Sequence, residues 1–404
     1  MRGLYLHIPF CQHKCVYCDF YSLETIHLIE EFVETLLEEI RLRAASIQAS
    51  EANSLRSGQL QFQTVFFGGG TPSLLSPKQM ERIIAQLHRY FAIDADAEWT
   101  MECNPGTVTP EHLRAYRALG MNRLSYGVQS FHEDELRFLS RIHSVGEAQE
   151  AIKLSRDAGF ENINLDLMFA LPNQRFEQWK STLDIAVALQ TDHISAYSLI
   201  FEPGTPLNTM LQQGKVRAQN EEHDAEMYSY AIDFLGQHGY EQYEVSNFAK
   251  DGKYCAHNCL YWQGDEYVSF GPSAHGYLFG TRYWNARSLK RYTENVRTGA
   301  LPLTSSEILS DKERMFERAF LELRARGIRK AEFLRDFGVS IDDALAPLLR
   351  EFVPTGELRT SSERVQCTPK GYAVCDALTV EAIHLLEKYC GVEWKQPQES
   401  EEIV

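Results

Sequence analysis

Three cysteines, Cys11, Cys15 and Cys18, stand at C-x3-C-x2-C spacing near the start of the chain. Thiolates are soft ligands suited to iron–sulfur clusters or zinc. A structural zinc site wants four closed ligands, and a cubane cluster typically takes four Cys. Three ligands at this spacing leave one cluster iron without a protein ligand, and an open iron can hold a substrate. A zinc site completed by His7 or His13 is the alternative. Buried structural thiols are a third reading, disfavoured by the polar residues around the triplet.

Other groups could act with that centre. In Phe66-Phe67-Gly68-Gly69-Gly70-Thr71-Pro72 the glycines let backbone approach a ligand closely, although a plain turn has the same composition. In Met101-Glu102-Cys103-Asn104-Pro105, Glu102 could accept from hydroxyl or amino groups, or lie on the surface beside a turn-forming Asn-Pro. Cys103 reads as a small buried hydrophobe. In His257-Asn258-Cys259-Leu260-Tyr261-Trp262 a neutral imidazole could be an axial ligand of heme iron, beside flat apolar rings. The bland alternative is a loop packed by its aromatics. Cys255 and Cys259 could compete for iron, and His275 is a further ligand candidate. Arg282, Arg287, Lys290 and Arg291 could meet heme propionates or form a solvated face.

These residues need a frame. Short apolar runs at 3–10, 64–67, 98–103, 123–128, 162–169, 193–200 and 242–245 read as strands. Helical periodicity lies between them, as in Leu28, Ile29, Phe32, Val33, Leu36, Leu37 and Ile40, or Met80, Ile83, Ile84, Leu87 and Phe91. Ser76-Pro77 and Thr109-Pro110 are helix-start signals. Strands separated by single helices pair in parallel. The cysteines then lie in a loop at the C-terminal end of the first strand, where α/β folds place their chemistry. Such a sheet can close as a full or partial barrel or stay open, and periodicity alone prefers neither. Residues 251–309 read as a structured connection with little periodicity. Helices follow at 311–326, 330–337 and 341–352, then a strand pair at 358–360 and 364–367 and a last helix at 372–389. That pattern is winged-helix-like.

The 404 residues are 44% hydrophobic and 24% charged, the composition of an ordinary folded protein. No apolar run approaches the ~18 residues of a membrane span. The N-terminus has no secretory pattern, so a cytoplasmic location is expected. The formal net charge of −16 repels phosphate backbones and anionic lipid, which argues against nucleic acid and membrane insertion. Nine cysteines are an odd number for a disulfide framework. In a reducing compartment the crowded triplet points to metal or redox chemistry.

The triplet after the first strand, with GGGTP after the second, resembles the radical S-adenosylmethionine (SAM) superfamily. The resemblance implies a [4Fe–4S] cluster on Cys11, Cys15 and Cys18, with SAM chelated at the open iron and cleaved by an electron from the cluster. Leu4-Tyr5-Leu6-His7-Ile8-Pro9-Phe10-Cys11, Gly127-Val128-Gln129-Ser130, Arg141-Ile142-His143 and Asn164-Leu165-Asp166-Leu167-Met168 are similar to the coproporphyrinogen dehydrogenase (HemN)-like group. That likeness implies a SAM pocket of Tyr5, Tyr17, Gly69, Gly70, Thr71, Glu102, Gln129, Arg141 and Asp166, with Arg141 on the SAM carboxylate.

Two departures separate the chain from that enzyme group: Phe20 stands at the position of its fourth cysteine, and only ten residues precede Cys11. Both are features of the HemW-like heme chaperones, whose H-N-x-x-Y-W motif is associated with heme binding. The resemblance thus implies an α/β fold: a radical SAM partial (β/α) barrel with parallel strands over 1–250 and a connection at 251–309. A winged-helix-like HemN-type C-terminal domain over 310–395 and a polar tail at 396–404 complete it. It implies heme held near His257, Asn258, Tyr261 and Trp262, delivery to recipient hemoproteins such as respiratory enzymes, and an electron donor. Whether SAM is cleaved stays open. Two alternatives remain, an oxygen-independent coproporphyrinogen III oxidase and a zinc-binding module without redox chemistry.

Overall fold

In the computed structural model, residues 1–53 and 60–392 are described, and the expected tail at 396–404 lies outside them. Six strands form the central sheet: β1 (Arg2–Ile8), β2 (Gln61–Gly69), β3 (Ala92–Cys103), β4 (Arg123–Gln129), β5 (Ile163–Phe169) and β6 (His193–Ser198). They pair in that order, all parallel. Helices covering the outside explain why one face of the strands is apolar, at alternate positions. Leu4, Leu6 and Ile8 of β1 are fully buried, as are Leu124, Tyr126 and Val128 of β4.

The helix Pro77–Tyr90 shows how local sequence builds this cover. Ser76 and Gln79 form a capping box and Pro77 opens the first turn. Met80, Ile83, Ile84 and Leu87 then bury one stripe, at the spacing that places them on a single face. Helices Ile29–Asn53, Pro110–Ala118, Val145–Asp157 and Phe176–Ala188 alternate with the strands in the same way.

The free edge of β1 takes Glu266–Phe270 in parallel, while β6 takes Asn247–Ala249 antiparallel. Glu241–Gln242 follows Asn247–Ala249 at that end, and His275–Leu278, Thr281–Asn285 and Leu303–Ile308 extend the sheet beyond Glu266–Phe270, around a parallel core that forms a partial barrel. Polar residues of β3 to β6, Glu102, Ser125, Asp166 and Ser195, face one shared cavity, which is the concave side.

Several elements differ from expectation. The strand expected at 242–245 is Asn247–Ala249, preceded by the two-residue Glu241–Gln242. The stretch 251–309 is richer than a connection: it holds helix Ala256–Trp262, the strand beside β1, a hairpin and helix Leu289–Arg297. The hairpin pairs His275–Leu278 with Thr281–Asn285. Phe279 and Gly280 both turn at positive φ, the geometry of a tight hairpin turn. Phe at the first of those positions hides the signal, since Asn or Gly is the usual residue. The helix expected at 341–352 is broken into Ile341–Ala344 and Ala346–Thr355 around Leu345. Pro347 lacks the N–H a continuous helix would use. The last helix is Cys375–Cys390, with a separate turn at Pro369–Tyr372.

Two compact units result. One comprises Met1–Glu241, Ser246–Leu260 and Asp265–Glu307; the other Gln242–Val245, Tyr261–Gly264 and the chain from Ile308. The second has its own core, including Phe316, Leu323, Phe333, Leu345, Val365 and Leu386. Its small sheet sets Arg364–Cys367 antiparallel between Ile328–Arg329 and Leu358–Thr360. Among the described residues no helix is long and apolar enough to cross a membrane.

Candidate functional site

The cysteine loop leaves β1 at Pro9 and is closed at its base. Cys11 N–H donates to Leu23 O at 2.9 Å and Leu23 N–H to Pro9 O at 2.8 Å. His7 Nε2 meets Tyr21 O at 2.8 Å. Leu207 N–H donates to Val16 O at 2.9 Å, fixing the loop's middle. Within it, Cys18 N–H donates to Cys15 O at 3.2 Å, a turn that sets the last two cysteines beside each other in the loop.

Two donors face the sulfurs. Thr71 Oγ1 lies 3.5 Å from Cys11 Sγ, and Arg141 Nη1 lies 3.3 Å from Cys15 Sγ. Burial pushes the Cys18 thiol up to about 11, and the neighbouring Cys15 and Cys11 push the same way. Burial also raises Cys11. Cys11 and Cys18 are thus held toward the protonated thiol, and a metal that binds them must expel those protons.

The glycine run ends β2 against this loop. Gly70 N–H donates to Ile8 O at 2.8 Å. A Cβ on Gly70 would come within 2.6 Å of Phe10 O, and one on Gly69 within 2.7 Å of the His7 ring. Gly69 also has φ +107°. Close backbone approach, rather than a free turn, explains the glycines here.

A cavity of about 430 Å³ opens beside the cysteine loop. It is lined by Tyr17, Gly69, Gly70, Thr71, Glu102, Gln129, Arg141 and Asp166, eight of the nine residues anticipated for a SAM pocket, and by Cys18. Tyr5 does not line it; its hydroxyl lies 3.2 Å from His7 Nδ1 and its ring stacks on Phe66. Glu102 Oε2 accepts from Gly69 N–H at 3.1 Å. Burial, followed by repulsion from Asp166, pushes the Glu102 carboxyl up to about 8. Burial likewise raises Asp166, against hydrogen bonds that include Asn164 Nδ2 at 2.7 Å. Gln129 adopts φ +70° at the end of β4, a sparsely populated conformation for a residue with a Cβ.

Arg123, Ser125 and Ser195 also line the cavity and escape the sequence motifs, and Asn164, inside the β5 motif, joins them without an anticipated role. The signal that reveals them is a polar residue at alternate positions of an otherwise apolar strand, as Asn164 and Asp166 are in β5.

The zinc alternative finds little support. His7 is engaged with Tyr21 and Tyr5, and His13 Nδ1 sits 3.1 Å from Glu24. Three soft thiols on one loop, with N–H and O–H donors toward two sulfurs and a polar cavity beside them, fit a sulfur-rich cluster that keeps one iron for an outside ligand.

The second motif is placed differently. His257 is 1% exposed. Its Nδ1 meets Thr64 Oγ1 at 2.7 Å, and its ring stacks on Phe66 with centroids 5.0 Å apart. Gly3 leaves room for it: a Cβ there would lie 2.9 Å from the imidazole. Burial, then the charge of Arg123, pushes the imidazole down to about 3, so it is neutral. In this conformation a macrocycle cannot reach it. Asn258 lines the cavity of the first unit, whereas Tyr261 and Trp262 belong to the second. Cys255 and Cys259 are buried. His275 is exposed and stacks on Trp284, with centroids 6.0 Å apart. Arg282 pairs with Glu307 at 2.8 Å, while Arg287, Lys290 and Arg291 are exposed.

Comparison with known proteins identifies the family. Residues 5–186 match the family model of the radical SAM superfamily, and residues 309–374 match that of the HemN C-terminal domain. Members of that superfamily typically bind a [4Fe–4S] cluster and SAM. The chain is 35% identical over 375 residues to the heme chaperone HemW of Bacillus subtilis, covering 92% of this chain and 96% of that one. It is 33% identical to HemW of Escherichia coli, covering 93% and 96%. The solved coproporphyrinogen III oxidase HemN of E. coli shares the fold at a TM-score of 0.78 and 22% identity, covering 96% of this chain and 90% of that one. The chain belongs to the HemW heme chaperone family of the radical SAM superfamily.

Proposed function

We propose that this protein binds heme and delivers it to hemoproteins, respiratory enzymes among them, from a core that also holds a [4Fe–4S] cluster and SAM. The observation that carries this reading is the similarity to HemW chaperones along nearly the whole chain. Cys11, Cys15 and Cys18 would ligate the cluster. When bound, and reduced by an electron donor, the cluster supplies an electron and an open iron position. Glu102 and Asp166 would accept hydrogen bonds from SAM, with Gly69, Gly70, Thr71 and Gln129 shaping the cavity around it. Tyr17 flanks the loop. Tyr5 would act through His7, which it touches, rather than on SAM directly.

For heme, His257 is the ligand the motif nominates, with Asn258, Tyr261 and Trp262 beside it. Its burial requires helix Ala256–Trp262 to move before iron can bind. His275 is favoured by its exposure and its stacking on Trp284, and stands as a second reading. Hemin titration, followed by the Soret band, separates them. His257→Ala should lower hemin affinity at least tenfold while His275→Ala leaves it unchanged. The reverse pattern assigns the ligand to His275. Failure of the wild-type protein to bind hemin, or conversion of coproporphyrinogen III when reduced protein is given SAM, overturns the carrier reading. Phe20, 62% exposed at the cavity wall where the enzyme group has a cysteine, supports the carrier outcome.

A further inference from the structure

Arg141 is held on several sides. Nη1 lies 3.3 Å from Cys15 Sγ and 3.5 Å from the Tyr17 hydroxyl. Nη2 donates to Gly127 O at 2.5 Å and to Asn104 Oδ1 at 3.3 Å. Only Nε is buried without a hydrogen-bond partner. In the ligand-free protein both outer nitrogens therefore meet protein atoms, one of them a cluster-loop sulfur, and a SAM carboxylate on Arg141 would share the guanidinium with these contacts.

The grip on Nη2 has a support of its own. Asn104 Oδ1 also meets His143 Nδ1 at 3.0 Å, and His143 Nε2 rests 3.2 Å from Val128 O. His143 is 3% exposed. A chain of contacts therefore runs from the end of β4 through His143 and Asn104 to Arg141 and ends on Cys15 Sγ. The Asn104 backbone is anchored separately, its N–H to Ser73 Oγ at 3.3 Å and its carbonyl to Thr107 N–H at 2.9 Å. Removing its side chain leaves the turn in place.

We propose that Asn104 and His143 are positioning residues that hold the Arg141 guanidinium against Cys15 Sγ, where its N–H sets the reduction potential of a cluster on the three cysteines. The proposal rests on the reading of Cys11, Cys15 and Cys18 as cluster ligands and is independent of heme. An N–H directed at a ligating sulfur stabilises negative charge there, and the reduced cluster carries more of it, so the contact raises the potential. Guanidinium does not lose its proton, so the donation persists at any working pH. Lysine could supply charge but not both contacts at once.

The test uses the full chain, reconstituted anaerobically, with iron and sulfide counted and the cluster titrated potentiometrically by electron paramagnetic resonance. Asn104→Ala and His143→Ala should assemble the wild-type iron content and show a lower midpoint potential. Arg141→Lys should shift it further the same way, and His143→Gln, whose amide can still donate to Asn104, should restore much of the shift. A purely structural role would change iron content and leave the potential alone. If either alanine variant assembles a cluster of wild-type potential, the positioning role is refuted. A wild-type protein that takes up no cluster overturns the ligand reading and this proposal with it.

Discussion

Glu102→Gln offers a direct probe of the cavity's electrostatics in the ligand-free protein. The carboxyl is half-buried in the cavity wall, and burial together with Asp166 lifts it from 4.5 to about 8. Below the lower value it is neutral in folded and unfolded chains alike and costs nothing. Between the two values the unfolded chain ionises while the folded one stays protonated, so each pH unit removes about 1.4 kcal/mol of folding stability. Above the upper value the loss is complete, on the order of 5 kcal/mol. Glutamine keeps the shape, and its carbonyl can still accept from Gly69 N–H. It never ionises, and it relieves Asp166. The variant should therefore gain on wild type as pH rises, by about 3 kcal/mol between pH 5.5 and 7.5. Urea unfolding followed by tryptophan fluorescence at several pH values measures the difference. A gap that stays constant across that range, or that widens in favour of wild type, would refute the account of Glu102 as a half-buried, charge-starved acid.

Two further substitutions test the scaffold around the site. Glu39 is fully buried and accepts from Arg43, Asn285, Tyr292 and the Gly271 N–H at 2.7–2.9 Å. Glu39→Gln leaves the buried Arg43 without its counter-charge and should cost about 3 kcal/mol in urea unfolding, whereas wild-type stability would show the pair to be dispensable. Gly70→Ala should cost about 2 kcal/mol and lower the iron bound after reconstitution, because the new methyl would strike the Phe10 carbonyl beneath the cysteine loop. Normal iron content in that variant would show that the loop does not depend on this close approach.

Much of this molecule is local in origin. Cys11, Cys15 and Cys18 share one loop, and strand periodicity alone places that loop at a carboxyl end. Gly70 and Glu102 close the next two strands, so register carries them to the same end of the sheet. The order of strands and helices therefore fixes eight of the nine anticipated pocket residues around one cavity. Side-chain direction across distant segments was not legible. His257 packs against Gly3, Thr64 and Phe66, residues some two hundred positions earlier, and no spacing in its own motif reveals that it is sealed. Tyr5 turns to His7 instead of the cavity for the same reason, and Glu266–Phe270 finds the open edge of β1 only once the sheet exists. Periodicity encodes which face of an element is apolar; which partner covers that face, and which polar group is trapped beneath it, is decided by packing in three dimensions.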